Sequence, residues 1–190
     1  MIKIEAKNDS LERAEQLLVG IPGGFQQAMV SSFNRALLEA RTTGAREGAK
    51  RYTAKVGIIR KTMAMHRASK SNIEAELVSR GRRLPMRYFA HKPQTDTTGA
   101  KRRLITTEIR RGSLKPIGQG FVYHGMIMQR VGSTSLPVQQ LYTLSVPNIL
   151  NNPEIVDAVQ NKMVQAVEKR LEHETIRLLK GYAGESKWSK

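Results

Sequence analysis

The sequence predicts an α+β protein: N-terminal helices, a central and mostly antiparallel sheet, and a C-terminal helix. Three observations carry this prediction. Apolar residues recur at helical spacing over about residues 9–52, they alternate with polar ones in short runs over 72–145, and they return to helical spacing after Pro153. With 190 residues and 39% apolar content, the chain suffices for a single domain over 1–190.

Ile2, Ile4 and Ala6 alternate with Lys3, Glu5 and Lys7, as in a short half-buried strand. Asp9-Ser10-Leu11-Glu12 resembles a capping box, and Leu11, Ala14, Leu17 and Leu18 share one face of the helix it opens. Gly20 ends that helix, so residues 1–21 form a strand and helix arm closed by the Ile21-Pro22-Gly23-Gly24 turn. A longer helix over about 24–52 has the stripe Phe25, Met29, Phe33, Ala36 and Leu37. Ala36, Ala40, Gly44 and Gly48 then recur every four residues. Two readings stand: a subunit-packing face of small residues, or a helix that breaks near Thr42-Thr43-Gly44.

Thr53 to Arg67 is basic and amphipathic and suits a second short helix. Ile73, Ala75 and Leu77 mark one strand; Leu84, Met86, Tyr88 and Ala90 mark another. Pro93 to Arg103 is a polar loop, followed by a strand through Ile105, Thr107 and Ile109 and a turn from Gly112 to Gly120. Phe121 to Val131 reads as a longer strand with a bulge at Gly125, and Val138 to Ser145 as the last strand. Asn152-Pro153-Glu154 is a strong helix start, with Ile155, Val159, Met163, Val167, Leu171 and Leu179 on one face. Gly181 closes the helix and residues 182–190 form a polar tail.

The 32 Lys and Arg against 16 Asp and Glu give a net charge of +16. Residues 41–130 hold 21 of the basic and five of the acidic side chains, so the entire surplus lies there. Interleaved with apolar residues, such a block reads as a folded cationic face for a polyanion or an acidic protein. The pairs Arg82-Arg83, Arg102-Arg103 and Arg110-Arg111 are the candidate contacts to DNA or a partner. Aromatic residues are too sparse there for a single-strand stacking platform.

Zero cysteines exclude disulfides, thiolate metal sites and a Cys nucleophile, and point to cytosolic assembly. No signal-peptide layout opens the chain, and no apolar run is long enough to cross a membrane. His66, His91, His124 and His173 fall in no metal-binding spacing, and neither a phosphate-binding loop nor a nucleophile elbow is present. The expectation is a protein without cofactor, metal site or catalytic residues, not an enzyme.

The ordered series Met128 and Arg130, Gly132, Leu136-Pro137-Val138 and Ser145-Val146-Pro147 resembles the phage minor tail protein Z family, tail-completion proteins of long-tailed phages. Asn34-Arg35-Ala36 and Arg80-Gly81-x-x-Leu84 look like that family too, and the likeness covers roughly residues 25–165. The chain departs from the family pattern at Met128, at Ser135 and at Thr143-Leu144. The resemblance implies a late structural virion protein at the head-proximal end of the tail, assembled in the host cytoplasm. It would act as a ring-forming homo-oligomer in tail completion and head–tail joining. Its implied partners are other copies of itself, tail tube or terminator and neck proteins, the tape-measure protein and the viral DNA in the lumen. The alternative from charge alone is a free, non-specific nucleic-acid-binding protein.

Overall fold

The computed structural model describes residues 8–93 and 104–185, with side chains from 10 to 93 and from 104 to 181. The expected strand over Ile2–Ala6, most of the loop up to Arg103, and the end of the polar tail lie outside these residues. The α+β class holds: five α-helices and ten short strands follow one another in the described residues. They cluster into two compact units, one drawn from residues up to 44, 63–78 and 156 onward, the other from 45–62 and 79–155.

In the first unit, α1 (Asn8–Leu18) starts within a residue or two of the Asp9-Ser10 signal, with Asp9 already inside the helix. Ala14 and Leu18 are buried with Ala28, Met29 and Leu171, and Phe25, Phe33, Ile73 and Leu179 pack around them. This cluster joins α1 to α2 (Gly24–Arg51) and α5 (Pro153–Glu185), whose Val159, Met163, Val167 and Leu171 are buried as their spacing requires. The helix α2 runs unbroken through Thr42-Thr43-Gly44, because propagation adds one hydrogen bond per residue and outweighs a single glycine's cost of about 1 kcal/mol. Likewise α5 continues past Gly181 to Glu185.

The same unit contains most of a two-stranded pair, β1 (Met63–His66) and β2 (Glu76–Ser79). The Asn34 amide donates to the Ala68 carbonyl and accepts from its N–H, both at 3.0 Å, so one side chain serves both backbone groups of a residue on another element. Glu174 is the one fully buried carboxylate among the described residues, 1% exposed. It accepts from Ser31 at 2.8 Å and pairs with Arg170 at 2.5 Å and Arg177 at 2.7 Å. Burial pushes its pKa up, but the Ser31 hydroxyl and the two guanidiniums outweigh burial and hold it below the ordinary value.

The second unit begins at the C-terminal turns of α2 and departs most from the sequence expectation. The helix expected over Thr53–Arg67 shrinks to α3 (Val56–Lys61), and its remainder is β1. The strand expected through Leu84–Ala90 is split into β3 (Arg83–Pro85), a 3-10 turn over Met86–Tyr88, and β4 (Ala90–Lys92). Pro85 has no N–H with which to extend a ladder, and the turn follows it directly. After β5 (Ile105–Glu108), the expected turn contains β6 (Leu114–Ile117); its Pro116 is tolerated because β6 is the edge of the β4-β5-β6 sheet.

The long strand expected from Phe121 is a hairpin, β7 (Gly120–Tyr123) and β8 (Met126–Arg130). His124 and Gly125 have φ of 47° and 67°, the left-handed pair that lets two residues reverse a twisted ribbon. Val138 to Ser145 divides into β9 (Val138–Gln140), paired with β8, and β10 (Tyr142–Ser145), paired with β3. Leu141 lies between them, its N–H bonded to Ile127 and its carbonyl to Met86. Instead of one central sheet there are thus four small ones, three antiparallel by register. Ile105, Val122 and Ile127 form their buried cluster, backed by Met86, Ile117 and Leu141. Ser145 then caps a short helix missed from sequence, α4 (Val146–Leu150), its hydroxyl accepting from Asn148 at 3.4 Å.

Candidate functional site

The cationic surplus belongs to one unit. The described residues of the second unit hold 15 Lys and Arg against only Glu47, Glu108 and Glu154, a net +12. Those of the first unit hold ten basic against 11 acidic residues, a net −1.

All three carboxylates among the described residues of the cationic unit are engaged. Glu47 pairs with Lys50 at 2.6 Å and Arg51 at 2.7 Å, and Arg51 also reaches Glu154 at 2.7 Å. The hydrogen bonds from Lys50 and then Arg51 hold the Glu47 carboxyl below its usual range, and the Arg51 bond does the same for Glu154. Reciprocally, Glu154 and Glu47 push the Arg51 guanidinium further up. The Glu108 carboxylate accepts from the Gly112 N–H at 2.7 Å and shapes the turn before β6.

Arg110 and Arg111 sit at this same corner. Arg110 forms a bridge with Tyr52, and Arg111 donates its N–H to the Arg51 carbonyl at 2.9 Å. The Arg111 guanidinium donates to the Ala49 carbonyl at 3.0 Å, satisfying a free carbonyl of the α2 C-terminus where the helix dipole favours a cation. Arg111 therefore has a structural task at the helix end. Arg82 and Arg83 are exposed at the start of β3, where Arg83 pairs with Ser145. Arg102 and Arg103 lie outside the described residues.

The strands beside Arg82-Arg83 and Arg110-Arg111, β3 and β5, are not neighbours. Pairing of β3 with β10 and of β5 with β4 and β6 puts them in different sheets. What the structure adds is a different neighbour for Arg82 and Arg83. The Arg80 N–H donates to the Thr62 carbonyl at 3.3 Å, which places the Arg80–Arg83 segment against the basic end of α3, where Lys61 is exposed. Among the described residues no carboxylate pairs with Lys61, Arg80, Arg82 or Arg83. Lys61 and Arg80 were missed as site residues because 19 positions separate them in sequence, and only the bond from the Arg80 N–H to the Thr62 carbonyl closes that gap.

Cations without a paired carboxylate can engage phosphate groups. No three His, Asp or Glu side chains among the described residues gather as metal ligands. No helix among them is long and apolar enough to cross a membrane.

The small-residue stripe is corrected by the structure. Ala36, Ala40, Gly44 and Gly48 are all buried within the single chain, so this face is not open to a second copy. A Cβ on Gly48 would lie 3.0 Å from the Ile59 Cδ1 and 3.4 Å from the Ile149 Cγ2, so the glycine lets α3 and α4 approach α2. Gly48→Leu is accordingly expected to lower stability by about 1–2 kcal/mol through overpacking, without changing oligomeric state. Denaturant unfolding and size measurement check both parts; an unchanged midpoint would show that the contact is loose.

Of the residues quoted for the tail-protein resemblance, those from Arg80 to Pro147 fall in the second unit and Asn34-Arg35-Ala36 in the first. Met128 and Arg130 end β8, Gly132 and Leu136-Pro137 form the turn, Val138 opens β9, and Ser145-Val146-Pro147 is the capped start of α4. A Cβ at Gly81 would stand 3.6 Å from Thr62 and 4.0 Å from Pro147, so the Arg80-Gly81 step packs on the Ser-Val-Pro step. Compared with family models, with curated proteins and with solved structures, the chain matches none.

Proposed function

We propose that this chain is a structural virion protein of a long-tailed phage, acting without catalysis at the head-proximal end of the tail. It completes the tail, assists head–tail joining and positions DNA as one subunit of a ring. The observation that carries this reading is that the Arg80-Gly81 step packs on the Ser145-Val146-Pro147 step, while Met128, Arg130 and Val138 lie on the paired strands β8 and β9. These residues bear no reactive group, as expected where residues are kept for shape.

Charge segregation supports the same reading. A net +12 over the described residues of one unit suits the DNA path or an acidic neighbouring ring, whereas an isolated subunit gains only self-repulsion from it. The same observation favours a second reading, a free protein that binds nucleic acid non-specifically. Native mass spectrometry with tail and neck components separates them. The first reading expects a defined multimer joined to a tail complex; a persistent monomer that joins none, yet binds duplex DNA with a steep salt dependence, establishes the second.

A further inference from the structure

Tyr142 is the most exposed tyrosine among the described residues, at 51%. In sequence it lies beyond the 41–130 charge block, and the pairing of β10 with β3 carries it back there. Tyr142 stands opposite Pro85, and residues opposite each other in an antiparallel pair project from the same face. Arg83 is two positions from Pro85 on β3 and shares that face as well. Such a diagonal spacing is about 7–8 Å, within reach of an aromatic and a long side chain. The Tyr142 hydroxyl donates to the Gln140 Oε1 at 3.2 Å, so its polar atom is satisfied locally while the ring stays half exposed. Residues 80–92 contain five Lys and Arg and no Asp or Glu, and residues 138–148 contain no acidic side chain either. Arg80, Arg82, Arg83 and Arg87 are all exposed, and no carboxylate among the described residues pairs with them. A second arginine and tyrosine meet just after β3, where the Arg87 guanidinium lies 5.2 Å from the centre of the exposed Tyr88 ring.

We propose that this β3–β10 face binds unpaired nucleotides, with a base stacked on Tyr142 while Arg83 and its neighbours engage the flanking phosphates. The inference rests on the nucleic-acid contact in the readings above and names the form of nucleic acid. Charge selects a polyanion, because the segment offers several cations and no carboxylate to repel it. The ring selects the single strand. A duplex keeps its bases stacked on one another and meets this face through its phosphates alone, whereas an unpaired base presents a π-face. Each nucleotide of a single strand brings one phosphate and one base, which matches a guanidinium and a ring side by side. An acidic peptide would meet the arginines but supplies no flat ring with each charge. The basic block by itself has too few rings for a stacking platform; sheet pairing supplies one from outside it. Because every base has a π-face, the site should tolerate any sequence.

The test is fluorescence anisotropy of the full chain with oligo(dT), with an abasic strand of the same length and with duplex DNA. Wild type should bind oligo(dT) about tenfold tighter than the abasic strand, which carries the phosphates without the rings. Tyr142→Ala should erase that preference and leave the salt slope unchanged, whereas Tyr142→Phe should retain both. Arg83→Gln should instead make the single-strand slope shallower by roughly 0.7. Thermal melting checks that each variant folds, and the ratio of oligo(dT) to abasic affinity tests the proposal on wild type alone. Equal binding of the two strands, or a folded Tyr142→Ala that keeps the preference, overturns stacking at this face; duplex binding that persists then leaves the DNA contact standing. Polyglutamate that competes as well as oligo(dT) assigns the face to an acidic protein and also overturns the proposal. Binding to none of the strands overturns the proposal and the nucleic-acid contact together. A protein that shows the preference but joins no tail or neck complex defeats the virion reading and leaves the stacking site intact.

Discussion

Replacing Lys61, Arg82 and Arg83 together with Gln is expected to leave the fold intact and to remove much of the polyanion affinity of this protein. All three side chains are exposed, and no carboxylate among the described residues pairs with them. Their replacement therefore breaks no ion pair, and each change should alter stability by no more than about 0.5 kcal/mol. Each phosphate that is no longer neutralised takes roughly 0.9 from the log–log salt slope on duplex DNA, so the triple variant should be shallower by nearly 3. Fluorescence anisotropy across a salt series measures this directly. In particles, the same variant should show impaired head–tail joining or DNA retention. Equal slopes for variant and wild type would place the DNA-binding surface elsewhere. Arg111→Gln behaves differently: it removes the partner of the Ala49 carbonyl, so its effect should include a loss of stability.

The largest stability effect is expected at Glu174. Glu174→Ala leaves the Ser31 hydroxyl without its acceptor and strips Arg170 and Arg177 of their shared carboxylate in a site where the carboxylate is 1% exposed. Arg170 and Arg177 retain side-chain exposures of 39% and 53% and can rehydrate, which keeps the loss to about 2–3 kcal/mol. The pH dependence has a defined sign. The folded-state pKa of Glu174 lies below the ordinary value of 4.5, so its contribution is fully present above that value. It is lost as pH falls through the lowered folded value. Wild type should thus lose stability on acidification below about pH 4.5 more steeply than Glu174→Gln, as urea midpoints across about pH 2–6 will report. Parallel pH profiles would mean that the carboxylate is not held as the structure places it.

The three longest helices of this protein, α1, α2 and α5, were legible in its sequence because they depend on local chemistry. Asn152-Pro153 starts a helix where cap chemistry requires, with the Asn152 side chain accepting from the Glu154 N–H at 3.1 Å, and α1 opens within a residue or two of Asp9-Ser10. Spacing of three and four residues on α5 identified the face that is buried. The charge block was also visible by counting, and its restriction to residues 41–130 foreshadowed a cationic unit.

Tertiary structure alone decided how the extended segments pair, because period two names a strand but not its neighbour. The alternation from Phe121 to Val131 continues across His124-Gly125, since a two-residue turn pairs Val122 with Ile127 and keeps both on the buried face. Nothing local marks Leu141 as the point where one extended run leaves β8 for β3. The site followed the same rule. Counting found Arg82 and Arg83, but only the bond from Arg80 to Thr62 brings the end of α3, which carries Lys61, to the segment that leads into them. The stripe from Ala36 to Gly48 was legible as a surface of close approach, yet which surface approaches it at Gly48 was set by Ile59 and Ile149 of the same chain. Caps, periods and charge are properties of neighbouring residues and are determined by the sequence alone; pairing, burial partners and the meeting of distant cations depend on where the chain returns, which only the folded structure decides.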